Sequence, residues 1–163
     1  MAKALSETEL SCWRSYFESS QRLLSQLEED LRAVSDLSMA DYHVLVLLSE
    51  APGQRLRMGE LANRLAFSPS RLTYQISSME RRGLVVRQAC SRDRRGSEAV
   101  LTAAGLVALQ EAAPAHLASV RRHFMDDLDE SEIDCLARVF DRLGRRLRAA
   151  RAASVERNHP EEE

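Results

Sequence analysis

Lysine is almost missing from this chain: Lys3 is the only one among 23 basic residues. The chain is rich in alanine as well, so a coding bias toward arginine and alanine accounts for the shortage, though not for where the arginines stand. Long apolar runs are missing too. The longest uninterrupted one is Val44 to Leu48, far below the roughly 20 residues of a bilayer crossing, and no basic stretch leads into an apolar leader at the N-terminus. A soluble, cytoplasmic protein with no membrane partner is expected. The three cysteines, Cys12, Cys90 and Cys135, are odd in number, far apart and without a CxxC pair, which argues against a disulfide framework or a zinc ribbon. A glycine-rich phosphate loop, a nucleophile elbow, an HExxH helix and a plausible catalytic carboxylate pair are all wanting, so neither an enzyme nor a cofactor is expected.

What the chain does have is arginine gathered in one segment. Between Gln54 and Ser97 stand ten arginines (Arg55, Arg57, Arg64, Arg71, Arg81, Arg82, Arg87, Arg92, Arg94, Arg95) against three acids (Glu60, Glu80, Asp93), a local charge of +7. The whole chain holds 23 basic and 25 acidic residues, which leaves 13 basic and 22 acidic residues outside the segment, a balance of −9. A cationic stretch concentrated in an acidic frame suits a phosphate backbone. With 163 residues, the chain fits one domain with a real core.

Apolar seams mark both ends. Leu10, Trp13, Phe17, Leu24, Leu27, Leu31 and Val34 follow an alternating three-and-four spacing, with Ser20 in the one gap, and predict a long amphipathic helix. Ile133, Leu136, Phe140, Leu143 and Leu147 repeat that spacing behind an Asp129–Glu132 capping box. Each seam is longer than a small central domain needs. A homodimer is therefore expected, with Leu10, Trp13, Phe17, Ile133, Leu136, Phe140, Leu143 and Leu147 in its seam; packing of the two helices on each other within one subunit is the alternative.

The middle of the chain reads as a string of short elements. Ser38 with Asp41 forms a reciprocal cap, flanked by Leu37 and Tyr42 as a hydrophobic staple, and the helix behind it, apolar all round, should be buried. Ala51-Pro52-Gly53 ends it, and Arg55-Leu56-Arg57 is a short extended piece with one inward residue. Gly59 to Ala66 is a helix with Leu61 and Leu65 on one face. Ser68 then caps a helix with Pro69 at its first position, which buries Leu72, Ile76 and Met79, turns Ser70, Arg71, Thr73, Tyr74 and Gln75 outward, and ends at Gly83. Two short helices joined by a tight polar turn make a helix-turn-helix.

A strand from Leu84 to Cys90, a turn from Ser91 to Gly96 and a return strand from Ser97 to Leu101 follow as a hairpin. Three arginines at a hairpin tip repel one another, so the tip calls for an external anion; a merely solvated loop is the alternative. A basic hairpin directly after a recognition helix is the wing of a winged helix-turn-helix, able to lie along a minor groove, with Asp93 orienting a neighbouring guanidinium, that of Arg95 above all. Thr102 caps a further helix to about Met125 that Pro114 should bend or split.

In this order and spacing, LSMADYHVLVLLSEAP, RLRMGELANRL, FSPSRLTYQISSMERRGLV, the Asp93-Arg94-Arg95-Gly96 wing core and VLTAAG resemble the MarR family of bacterial transcriptional regulators across nearly the whole chain. The resemblance implies a mainly α (α+β) fold: a winged helix-turn-helix lobe at about 38–102 and a helical dimerisation region at about 5–35 and 103–152, in one domain. A disordered acidic tail is expected at about 153–163. The resemblance further implies double-stranded DNA as partner, a palindromic operator bound by a homodimer, repression, and release by a small, often aromatic, effector. Ser68, Ser70, Arg71, Thr73, Tyr74 and Gln75 would face the major groove, and Arg92, Arg94 and Arg95 would serve the wing. Family members commonly carry an Asp where Cys90 stands and a serine cap where Gly59 stands, so a wing carboxylate at position 90 is in doubt and the cap falls to glycine.

The remaining residues admit two readings each. Trp13, Tyr16, Phe17, Tyr42 and His43 line an apolar ligand pocket or simply belong to the core. His116 and His123, seven apart, are ordinary hydrogen-bonded histidines or, with a carboxylate, zinc ligands. Cys12 beside Trp13 is a structural cysteine or a peroxide-sensing thiol. A winged helix that binds protein is the competing class, and the +7 segment is what it would not need.

Overall fold

A computed structural model of the chain describes the backbone of residues 4–90 and 93–158 and the side chains of 4–90 and 96–151. The chain forms two compact units, Met1–His123 and Phe124–Glu163. The fold is mainly helical with one three-stranded antiparallel sheet, in keeping with the expected winged helix-turn-helix.

The first unit opens with α1 (Glu7–Val34), where Ser6 Oγ accepts the Glu9 N–H at 3.3 Å and Glu9 returns a carboxylate to the Ser6 N–H at 2.7 Å. Only Leu27 and Leu31 of α1 are buried. α2 (Met39–Glu50) starts on the Ser38–Asp41 reciprocal cap, with Leu37 and Tyr42 both buried beside it. Val44, Leu45 and Leu48 are completely enclosed, each stabilising by about 1.5–3 kcal/mol relative to exposure. One 3-10 turn (Pro52–Gln54) ends it, with φ of 65° at Gly53 and 54° at Gln54, and β1 (Arg55–Arg57) points Leu56 inward.

α3 (Met58–Arg64) starts before Gly59, the expected cap. β1 runs straight into the helix, so the extended Arg57 occupies the cap position without a side-chain bond and Gly59 falls within the first turn. The helix also stops before the expected Ala66, because Ala66 takes φ of 54° and the Phe67 N–H returns to the Ala62 carbonyl at 3.0 Å. α4 (Pro69–Arg81) follows, capped by Ser68 Oγ on the Arg71 N–H at 3.2 Å. Gly83, at φ of 72°, closes it.

β2 (Val85–Cys90) and β3 (Asp93–Leu101) pair antiparallel, with β3 in the centre of the sheet order β1-β3-β2. β3 begins at Asp93 where a turn was expected up to Gly96: the ladder passes an irregularity at Ala89/Cys90 and resumes with Cys90 opposite Asp93. The hairpin tip is thus shorter, and its Ser91 and Arg92 lie outside the described residues.

α5 (Ala103–Val120) is capped by Thr102, whose hydroxyl oxygen accepts the Gly105 N–H at 3.0 Å and lies 2.7 Å from the Gly83 carbonyl and 3.0 Å from that of Leu84. The helix continues through Pro114 instead of splitting there, since packing on α1 and α2 offsets the one lost helical bond. A π-helical turn (Arg121–Met125) follows.

In the second unit α6 (Glu130–Asn158) starts on the expected Asp129–Glu132 box, both bonds at 2.9 Å. It reaches into the stretch expected as a tail from 153, while 159–163 lie outside the described residues. Ile133, Leu136, Ala137 and Phe140 of α6 line an apolar cleft of about 170 Å³ with Phe124, Met125 and Leu128.

Candidate nucleic-acid interface

Leu72, Ile76 and Met79 are at most 1% exposed and root α4 in the core of the first unit. Their spacing turns Ser68, Ser70, Arg71, Thr73 and Tyr74 outward, and Tyr74 is 73% exposed. Ser68 and Ser70 share a hydrogen bond of 3.2 Å, and the Thr73 hydroxyl donates to the Pro69 carbonyl at 2.9 Å, leaving its oxygen free to accept. The Arg71 guanidinium carbon stands 3.9 Å from the centroid of the Phe67 ring. This face carries donors at the N-terminal turns of a helix, where base edges are read.

Gln75 does not share that face. It is half-buried, and its amide nitrogen donates to Asp41 Oδ1 at 2.6 Å. Asp41 is 3% exposed, and a buried carboxylate needs its oxygens satisfied. Oδ2 accepts from the Ser38 N–H and hydroxyl, both at 2.9 Å, and from Arg82 Nη1 at 2.8 Å. Gln75 supplies Oδ1. Arg82 also donates to the Asp36 carbonyl at 2.7 Å, so the middle of α4 and its C-terminal cap are tied to α2 and the turn before it. A groove of about 440 Å³ opens beside this knot, lined by Arg32, Asp36, Ser38, Asp41 and Arg82 among others.

The arginine block divides accordingly. Arg82 is tied to Asp41, and Arg64 pairs with Glu60 at 2.6 Å on the surface. The Arg87 N–H bonds Glu80 at 2.9 Å and its Nε donates to Ser97 at 3.2 Å, joining α4 to the hairpin. Arg94, Arg95 and Asp93 stand on β3, with side chains outside those described, as is Arg92 entirely. The expected Asp93–Arg95 contact therefore lies outside the described residues. Cys90 is buried and its thiol donates to Glu98 at 3.3 Å, a carboxylate near the wing that only the strand register brings there.

The five expected pocket residues fall into separate groups. Trp13 stacks obliquely on Tyr16 and Phe17, centroids 5.9 and 5.8 Å apart, on the exposed face of α1. Tyr42 is buried and packs on His116 of α5 at 4.4 Å, whereas His43 is exposed. Burial, with the nearby His43, pushes the His116 pKa down, and its Nδ1 is enclosed without a hydrogen-bond partner. His123 instead meets Asp30 at 3.0 Å, where Ser119 Oγ (2.5 Å) and Gln26 (2.9 Å) also donate. Those donors hold the Asp30 carboxyl at about 2. Of the seam residues, Trp13, Phe17, Ile133, Phe140, Leu143 and Leu147 are exposed, and Leu10 and Leu136 half-buried.

The MarR family model matches residues 35–96, from the turn before α2 into the hairpin. AbsC of Streptomyces coelicolor, a MarR family transcriptional regulator of known structure, is 43% identical; the match covers 91% of this chain and 99% of that one, with a TM-score of 0.84. This chain belongs to the MarR family. Sco3205, another MarR family regulator of Streptomyces coelicolor, solved in complex with DNA, is 33% identical to this MarR protein over 88% of this chain and 89% of that one, again with a TM-score of 0.84. The HTH-type transcriptional repressor YetL of Bacillus subtilis is 27% identical over 137 residues, 82% of this chain and 81% of YetL. Among the described residues of this MarR protein no helix is long and apolar enough to cross a membrane.

Proposed function

We propose that this MarR-family protein binds duplex DNA as a homodimer on a palindromic operator and represses transcription until a small effector releases it. The observation that carries the reading is the two-sided α4: Leu72, Ile76 and Met79 locked inside, and Ser68, Ser70, Arg71, Thr73 and Tyr74 displayed outside. The +7 segment supports phosphate contact, with Arg92, Arg94 and Arg95 serving the minor groove from the wing. A relative solved with DNA agrees with it, and repression is the role named for YetL. Dimerisation is supported by the apolar residues that α1 and α6 leave exposed, Trp13, Phe17, Ile133, Phe140, Leu143 and Leu147. The two regions then act as one functional domain.

For the effector, the groove beside the Asp41–Arg82 pair offers room and polar groups in one place, which supports a small aromatic effector there over the dispersed aromatics of α1 and α2. The exposure of Cys12 supports a second route of release, oxidation by hydroperoxide, which a Cys12→Ser variant would abolish.

In vitro selection of duplexes from a randomised pool tests the reading. The expected product is an inverted repeat with half-sites about one helical turn apart, bound with strong salt dependence. Absence of any salt-sensitive shift would leave a protein-binding winged helix as the better account.

A further inference from the structure

We propose that Phe67 is the positioning residue for Arg71, a ring platform that holds the guanidinium in the attitude from which it reads a base edge. The proposal rests on the base-reading role of Arg71 given above.

Phe67 is itself fixed. The left-handed Ala66 folds the chain back, the Phe67 N–H bonds the Ala62 carbonyl at 3.0 Å, and the residue is 8% exposed within the core. Over that ring lies the Arg71 guanidinium, 3.9 Å from its centroid, well inside cation–π range of about 6 Å. Arg71 follows Pro69 and Ser70 in the first turn of α4 and is exposed. An arginine left to itself samples many rotamers and loses that freedom on binding.

The choice of partner is what matters. Arg64 and Arg82 lean on carboxylates, Glu60 and Asp41, which occupy in-plane N–H donors. Among the described residues no carboxylate pairs with Arg71 in this way. A ring engages only the face of the guanidinium, and the N–H groups that grip guanine O6 and N7 lie in its plane. Phe67 therefore orients Arg71 without using up its donors or neutralising its charge.

The test uses the full-length protein and a duplex that the wild type selects from a randomised pool, the same duplex with the base pair read by Arg71 replaced, and a random duplex. Arg71→Ala identifies that base pair. Phe67→Leu keeps apolar bulk and removes the ring; it should lower discrimination at that pair about two- to fivefold per half-site while leaving affinity for the random duplex unchanged. In an Arg71→Ala background Phe67→Leu should cost no further discrimination. Phe67→Met, equally apolar, should repeat the result if the leucine variant folds poorly. Unchanged discrimination, equal loss on selected and random duplexes, or additive losses in the double variant would each overturn the platform while leaving Arg71 as a reader. If Arg71→Ala itself leaves discrimination intact, the base-reading role falls, and the platform with it.

Discussion

The Gln75 amide nitrogen sits 2.6 Å from Oδ1 of Asp41, across 34 residues of chain, so α4, the helix we propose reads DNA, is bonded from behind to the N-terminus of α2. Replacing Gln75 with Ala should therefore cost stability, about 1.5–3 kcal/mol for a hydrogen bond to a charged, buried group, and leave the ranking of duplexes unchanged. Asp41→Ala should cost more, since it strands Arg82 and opens the Ser38 cap as well. Urea midpoints for the two variants, read with binding to selected and random duplexes, check both; a change of duplex ranking in Gln75→Ala would return that side chain to the groove.

Acid should act through Asp30. Its carboxyl is held at about 2 against an ordinary 3.8 by Ser119, Gln26 and His123, so the unfolded chain takes up a proton more readily. The stability it contributes is present above about pH 4 and is lost as pH falls toward 2. Thermal midpoints across that window should converge for the wild type and Asp30→Asn, with the variant the flatter of the two; parallel curves would exclude Asp30 as the source.

His116 acts in a higher window. Burial and His43 push its pKa below the ordinary 6.5, which means that the folded state resists the proton the unfolded chain accepts. Its contribution is complete above about pH 6.5 and declines as pH drops below that value. His116→Phe keeps a ring against Tyr42 and removes the enclosed Nδ1. The variant should lose part of the stability decline between about pH 7 and 5 that the wild type shows by chemical denaturation. An unaltered slope would count against it.

Gly105→Ala reverses the sign that helix propensity gives. Alanine in a helix is worth up to about 1 kcal/mol over glycine, but a Cβ here would stand 2.1 Å from the Leu84 carbonyl oxygen and 2.9 Å from Leu101 Cδ1. Neither the Leu84 backbone, whose carbonyl accepts the Thr102 N–H at 3.2 Å, nor the cap beside it yields easily, so a net loss of about 1–3 kcal/mol is expected. A gain in thermal midpoint would show that α5 can shift away from the sheet.

Elements set by neighbours in sequence were legible in it: the Ser38–Asp41 and Asp129–Glu132 boxes, Pro69 after Ser68, and Gly83. The winged helix-turn-helix followed from them. What could not be read depends on partners far along the chain. Gln75 looks like any polar residue between apolar anchors until Asp41 is brought beneath it, and Arg82 counts as surface charge until α2 arrives. The Asp93–Gly96 stretch has turn composition, yet pairing with Cys90 decides its conformation. Phe67 and Arg71 are four apart, but they belong to a turn and a helix, so helical spacing gave no reason to join them.

Two residues that are not glycine, Gln54 and Ala66, hold φ of 54° on either side of β1 and α3. Each holds a backbone state that costs an L-residue roughly 1–2 kcal/mol, more than glycine's added entropy cost of about 0.5–1 kcal/mol. A heat-selected library of this gene should therefore accumulate glycine or asparagine at these two positions ahead of the surrounding surface, and Gln54 and Ala66 mark where the lineage has left stability unused.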